Sequence, residues 1–340
     1  MGNRQACTNP RKSHIAFPNI HIRELFGSIE AELADVDDYL QKSVSQANYL
    51  IKDGFNYLLQ AGGKRIRPAF TLFASHYGSK TSCIPAASTM ELVHMVSLIH
   101  DDVIDASDLR RGKATLSNLY GNNYAIHLGD YLFAKALAVI DSYQNTALSG
   151  KLAYTSREMC RGEIEQISNE LCLQQNIKRY LYRVNRKTSV LITLCFETGA
   201  LVSGANQEVV NTLGRFGHYL GMAFQIADDM LNYTADEQTL GKPVGNDLQQ
   251  GVVTLPLIYF LKYGKTELCQ DVKRILKKET VTTDEVVYIN QAIRVSKAIE
   301  YSQELVNRYA IKALQQVDKL PDNKTTEVFR QIALLYYQEK

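Results

Sequence analysis

Proline is scarce in this chain: 7 of 340 residues, with none between Pro85 and Pro243. So long a proline-free stretch, rich in Leu, Ala, Ile and Tyr, excludes a sheet with many turns and suits helices. Paired cysteines are also missing. Among Cys7, Cys83, Cys160, Cys172, Cys195 and Cys269 there is no C-x-x-C spacing, which removes the usual zinc and redox motifs. These are expected to be buried thiols in a reducing compartment, hence a cytoplasmic protein. A dominant charge is lacking too: 38 Lys plus Arg stand against 36 Asp plus Glu, leaving +2. That balance gives no global reason to bind nucleic acid or an anionic membrane. No apolar run reaches the ~18 residues that span a bilayer, so any membrane association would be weak and peripheral. The longest run, over 189–205, is interrupted by Glu197. There is no G-x-G-x-x-G loop, internal repeat or low-complexity tract.

The patterning that is present has the helical period. Apolar residues recur at three and four in Ile22, Leu25, Phe26, Ile29 and Leu33, and again over 154–167. The expected fold is all-α, a single large domain of roughly ten or more helices over 20–340. A polar, flexible arm without a secretory leader pattern is expected over 1–19. Breaks are expected at Gly62-Gly63, 77–82, Gly112, Ser149-Gly150, Gly204, 241–251 and 321–324. Two long helices stand out. One covers 85–105, with Pro85 in its first turn. The other covers 212–233 and contains Gly214, Gly217 and Gly221. Each glycine costs about 1 kcal/mol of helix propensity, which close packing against a neighbouring helix would offset.

Both helices end in acids. The first closes on His100-Asp101-Asp102-Val103-Ile104-Asp105. Asp101 and Asp105 share one face a turn apart and repel each other. Hard cations relieve such repulsion, and Mg²⁺ commonly bridges carboxylates to substrate phosphates. One such cluster alone is better explained as a solvated helix end. The second helix, however, carries Gln225-Ile226-Ala227-Asp228-Asp229-Met230-Leu231-Asn232 after another apolar stretch. Two clusters, each closing an apolar helix, point to a metal site built from Asp101, Asp102, Asp105, Asp228 and Asp229. Basic residues stand nearby in sequence: Gly63-Lys64-Arg65-Ile66-Arg67-Pro68, Arg110-Arg111-Gly112, Lys187-Thr188 and Gly241-Lys242-Pro243. Arginine offers a planar fork to phosphate oxygens and lysine a compact charge. Each motif alone is ordinary surface decoration; beside the acids they suggest a site for two diphosphates.

In their order and spacing these motifs resemble the trans-isoprenyl diphosphate synthase family, over roughly residues 58–335. Gly162-Glu163-Ile164-Glu165-Gln166, Arg186-Lys187-Thr188 and Leu240-Gly241-Lys242-Pro243-Val244-Gly245 add a closer likeness to the catalytic large component of bacterial heptaprenyl diphosphate synthases. The resemblance implies an isoprenoid-synthase fold, with helices around a central cavity. It implies a prenyltransferase that condenses isopentenyl diphosphate with an allylic diphosphate such as farnesyl or geranylgeranyl diphosphate. The all-trans product could serve a quinone side chain. About three Mg²⁺ ions are implied with substrate bound. Gly63, Lys64, Arg67, His94, Arg110 and Arg111 are the implied diphosphate contacts, and Lys187, Thr188, Gln225 and Lys242 the implied catalytic groups. Asp247 is implied to act through water. Two departures weaken the second cluster: Asn232 replaces its third acid, and Val252 stands where the family has a lysine.

Product length can be read along the first helix. Ser97, Val96 and Val93 lie one to two turns before Asp101, and no aromatic closes the path there. At ~5.4 Å per turn, a product of about six to eight isoprene units is expected, with Phe133 a candidate floor. Two rival readings use the same scaffold. A terpene cyclase would not need the motif over 62–68, and a non-catalytic subunit would not need an intact Asp101–Asp105 cluster. The likeness also implies assembly, as a homodimer or as a heteromer with a small regulatory subunit.

Overall fold

The computed structural model describes residues 22–79, 82–167, 176–234, 248, 252–278 and 280–338. The arm expected over 1–19 and the segment holding Lys242 and Asp247 lie outside the described residues. A 3₁₀ segment, Ile22–Ile29, leads into α1 (Glu30–Ser43), α2 (Tyr49–Gln60), α3 (Ile66–Ser75) and α4 (Ile84–Ile104). A small hairpin follows, β1 (Leu109–Arg110) and β2 (Lys113–Ala114), then α5 (Leu116–Tyr120), α6 (Asn122–Ser142) and α7 (Thr146–Ile167). Next come α8 (Ile177–Val184), a π-helical turn (Asn185–Ser189), α9 (Val190–Ser203) and α10 (Gln207–Thr234). The described chain closes with α11 (Leu255–Tyr263), α12 (Thr266–Ile275), α13 (Thr283–Arg294), α14 (Ala298–Val317) and α15 (Lys324–Leu334). The all-α expectation holds. The hairpin is the only strand pairing among the described residues.

Side-chain caps set several helix starts. Asn206 Oδ1 accepts the Val209 N–H at 2.8 Å, so α10 begins at Gln207, upstream of the expected 212. Asn145 Oδ1 accepts the N–H groups of Ala147 and Leu148 at 3.1 and 3.2 Å. That cap starts α7 before Ser149-Gly150, and the expected break there is not found. Buried Leu148, Leu152 and Thr155 hold this turn on the core, while Gly150 faces open space. Gly204, at φ +77°, ends α9 as expected.

The centre of the fold is the pair α9 and α10. A Cβ at Gly214, Gly217 or Gly221 would come within 2.7 Å of Glu197 Oε1, the Phe196 ring or Ser189 Cα respectively. These glycines let the two helices approach, and the buried contact offsets their lost propensity. Beside them Phe70 stacks on Phe196 at 4.8 Å. Phe216 and Phe329 meet Phe196 edge-on at 5.0 and 5.2 Å. This aromatic knot ties α3, α9, α10 and α15 together. On the outer layers α10 packs along α14, and α4 packs against α3 and α6. Cys83, Cys195 and Cys269 are buried, and burial pushes the thiols of Cys83 and Cys195 up to about 12. Cys160 is exposed, contrary to expectation, because the buried face of α7 runs through Leu152, Thr155 and Gly162. Cys7 and Cys172 lie outside the described residues. No described helix is long and apolar enough to cross a membrane.

Candidate active site

The last turn of α4 carries Asp101 and Asp102, and Asp105 caps it. Asp102 is buried and accepts from Arg110 Nε at 2.6 Å, which pins the hairpin to this helix end. Arg111 and Gly112 both have positive φ, 52° and 76°, the geometry of a tight two-residue hairpin turn. This turn sends Arg111 back to the carbonyl of Gly62, while Lys113 Nζ reaches Gln60 O at 2.7 Å. The glycine loop between α2 and α3 is thereby brought beside the first aspartates.

Lys187 and Thr188 sit in the π-helical turn, where the Val190 N–H reaches back to Asn185 O. The extra residue turns consecutive side chains towards opposite helix ends, and such turns recur at functional sites. Lys187 Nζ lies 3.9 Å from Asp101 and 2.9 Å from Glu163. Thr188 donates to Gln225 Oε1 on α10 at 2.7 Å. Gln225 Nε2 in turn donates to Asp229 Oδ1 at 2.7 Å. One short turn therefore links both acidic helix ends.

Electrostatics mark the two ends differently. Burial pushes the Asp101 carboxyl up to about 7; Lys187 opposes this, while Glu163 and Asp105 add to it. Burial also raises Asp102, against the pull of Arg110. Lys187 is depressed by its own burial, but Asp101 and Glu163 outweigh that and leave it raised. On α10, Asp229 and Asn232 are buried, whereas Asp228 keeps partial solvent contact. Asn232, expected as a weakened ligand, is only 4% exposed and packs inside the helix bundle.

The basic motifs form one group. Arg65, in the left-handed region at φ 49°, is clamped by Asp37 at 2.6 Å and by the buried Glu91 at 3.0 Å. Arg67 lines the same recess, and its Nε is buried with no hydrogen-bond partner. His94 is held well below the usual imidazole range by burial and then by the guanidinium groups of Arg67, Arg111, Arg110 and Arg65. Lys64 is depressed by desolvation, with Asp228 raising it and Arg111 lowering it. Gly63 leaves room here, since a Cβ would meet Arg111 Nη1 and Arg65 Nη1 at 3.2 Å. A crowd of cations around an orphaned donor is suited to a polyanion such as a diphosphate.

The donor set also fits Mg²⁺. Among the described residues no three His, Cys, Asp or Glu side chains converge tightly enough to hold a metal alone. Mg²⁺ does not need such a cage: it keeps several waters and takes one or two carboxylates plus phosphate oxygens. Asp101, Asp105 and Asp228 offer hard oxygens beside the cation group.

Residues 48–293 match the family described as polyprenyl synthetase. This chain belongs to that family. It is 41% identical over 317 residues to the heptaprenyl diphosphate synthase component 2 of Geobacillus stearothermophilus, covering 92% of this chain and 97% of that one. Its fold is similar to the crystal structure of heptaprenyl diphosphate synthase from Staphylococcus aureus, with TM-score 0.84 and 34% identity over 91% of this chain and 98% of that chain. It is also similar to a polyprenyl synthase from Caulobacter crescentus complexed with calcium and isoprenyl diphosphate, with TM-score 0.86 and 29% identity over 93% and 97%.

Of the site residues expected from the sequence, the fold brings Asp101, Lys187, Thr188, Gln225 and Asp229 into one linked group, with Asp105 near Asp101, Asp102 tied to Arg110, and Asp228 near Lys64. Lys64, Arg67, Arg110 and Arg111 form the adjoining cation group around the neutral His94. Lys242 lies outside the described residues. Val93 and Val96 are buried on α4, and Ser97 Oγ donates to His94 O at 2.8 Å. Phe133 packs partly buried on α6, the helix alongside. Three residues escaped the sequence reading as individual positions: Glu91, Glu163 and Tyr180. Glu91 had a usable signal, a lone acid in an apolar helix three residues before His94. Tyr180 had none.

Proposed function

We propose that this protein condenses isopentenyl diphosphate with an allylic diphosphate, in a Mg²⁺-dependent reaction, to build an all-trans polyprenyl diphosphate. The observation that carries the reading is the π-helical turn joining two acidic helix ends, next to a cation group with an unpartnered buried Arg67 donor. Asp101, Asp105 and Asp228 would hold Mg²⁺, with Asp102 and Asp229 behind them; the ion when bound neutralises charge on the departing diphosphate. Lys187 and Arg110 supply fixed positive charge at the same place, as does Lys242 in the sequence motif. As the allylic C–O bond breaks, its electron pair leaves with the diphosphate. The oxygens of Thr188 and Gln225 face the remaining cation. Lys64, Arg67, His94 and Arg111 orient isopentenyl diphosphate so that its double bond attacks that carbon. Loss of a proton to the released diphosphate completes the step.

The domain is taken to span 20–340 behind an arm over 1–19, and the compartment to be the cytoplasm. Relatives named "component 2" support assembly with a small regulatory subunit, the alternative being a homodimer. Product length rests on Val93, Val96 and Ser97. Labelled isopentenyl diphosphate with farnesyl diphosphate and Mg²⁺ tests the reading, alone and with a co-expressed small subunit. Extension by several units is expected, and failure to incorporate label in either setting overturns it. Val96→Tyr or Ser97→Tyr should shorten the product while the first addition proceeds; an unchanged product spectrum means that the tail runs elsewhere.

A further inference from the structure

A buried hydroxyl lies behind the second acidic helix end. Tyr180, on α8, is fully buried, and its hydroxyl donates to Asp229 Oδ2 at 2.7 Å. The other oxygen of Asp229 accepts from Gln225 Nε2 at 2.7 Å, and Gln225 Oε1 accepts from Thr188 at 2.7 Å. The direction of this chain is set by chemistry. An ionised carboxylate only accepts, so the nitrogen end of the Gln225 amide must face Asp229. The oxygen end must then face Thr188. Thr188 spends its single proton on that oxygen, so its own oxygen is left as an acceptor only. Arg183 stands over the Tyr180 ring, 5.6 Å from its centroid, and its Nη2 donates to Val253 O at 2.5 Å. The ring is thus held from behind as well.

We infer that Tyr180 is a positioning residue. By fixing Asp229, it locks the Gln225 amide in the orientation that presents its oxygen, and that of Thr188, to the allylic cation. This rests on the prenyl-transfer reading and adds to it a residue that never touches substrate. With Phe at 180, Asp229 loses the donor that holds its Oδ2, and its grip on Gln225 weakens. The amide can then turn, and the carbon that becomes cationic meets an N–H group in place of an oxygen. The cation site should suffer, while the isopentenyl diphosphate site around Arg67 should not.

The test is a steady-state comparison of wild type, Tyr180→Phe, Gln225→Met and the double variant, with farnesyl diphosphate, labelled isopentenyl diphosphate and Mg²⁺. Tyr180→Phe should lower kcat about tenfold, the effect of one hydrogen bond to a charged group, with KM for isopentenyl diphosphate unchanged. In the Gln225→Met background the same change should cost little, because a residue acting through Gln225 couples to it. Independent, multiplicative effects overturn the inference, as does an equal loss at both substrate sites. If Tyr180→Phe does not fold, 4-aminophenylalanine at 180 keeps the ring and an N–H donor towards Asp229. A weaker donor loosens the hold on Asp229, so kcat should fall several-fold with KM for isopentenyl diphosphate unchanged; an unchanged kcat is the overturning result. An inactive wild type would instead count against the reaction itself, which keeps the two failures apart.

Discussion

The two acidic helix ends look alike in sequence and differ in the folded protein. At the end of α4, Asp105 is exposed and Asp101 leans on Lys187, 3.9 Å away. At the end of α10, Asp229 is buried between Tyr180 and Gln225, Asn232 is buried as well, and Asp228 alone keeps solvent contact. On the proposed reading, the first end offers carboxylates to a ligand. The second uses most of its polar groups as internal scaffold and offers one. The amide at 232 is intelligible on this basis. A carboxylate there would place unneeded charge in a dry interior, which costs several kcal/mol unless neutralised.

The largest effect should come from the end of α4. Chelating Mg²⁺ should abolish condensation, and Asp101→Ala should lower kcat by about 10²–10³-fold, the range for losing one preorganised electrostatic contact. Radiolabel incorporation measures both, and near-normal turnover would remove the metal reading of α4. A sharper contrast is expected in stability. Asp229→Ala leaves the Tyr180 hydroxyl and the Gln225 amide without their buried acceptor and should cost about 2–4 kcal/mol. Asp105→Ala, at an exposed cap, should cost under about 1 kcal/mol. Denaturant unfolding of the two variants compares them directly, and equal costs would erase the distinction.

Asn232→Asp probes the same burial. A buried carboxyl has its pKa raised, so the variant keeps its stability at low pH and loses it as pH rises. Its melting temperature should fall below wild type by more at pH 8 than at pH 5; a constant difference would mean that position 232 is solvated. The smallest effect concerns Asp101 in metal-free protein. Its carboxyl is pushed up to about 7, above its ordinary unfolded value, so the folded state holds a proton that the unfolded state has lost. The stabilising contribution is full below about pH 4 and is lost as pH rises through about 7. Asp101→Asn should flatten that slope in pH-dependent melting, and a slope identical to wild type would place the burial elsewhere.

Much of the site was legible because it is built from helix ends. An apolar helix that closes on Asp101-Asp102 or Asp228-Asp229 announces both its period and its exit from the core. The stripe of Gly214, Gly217 and Gly221 announced a close neighbour, and α9 is that neighbour. Less legible were features that depend on contacts distant in sequence. The hairpin around Arg111-Gly112 is anchored where Arg111 and Lys113 find the carbonyls of Gly62 and of Gln60 at the end of α2. Arg65 and Arg67 look equivalent, yet one is clamped by Asp37 and Glu91 while the other keeps a buried donor unpartnered. Ser149-Gly150 reads as a break by composition, but the Asn145 cap and a buried face carry α7 through it.

The sequence by itself determined the helical class, the two acid-tipped helices, the order of the basic motifs and the family. Those follow from spacing along one chain, where periodicity and charge act over a few residues. Only the tertiary structure decided which carboxylates face outward and which are absorbed into the interior. That choice depends on desolvation and on donors brought in from other helices: Tyr180 from α8, Arg110 from the hairpin and Lys187 from the π-helical turn. Identical residue types acquire different roles because burial changes the cost of a charge far more than its position in the chain does.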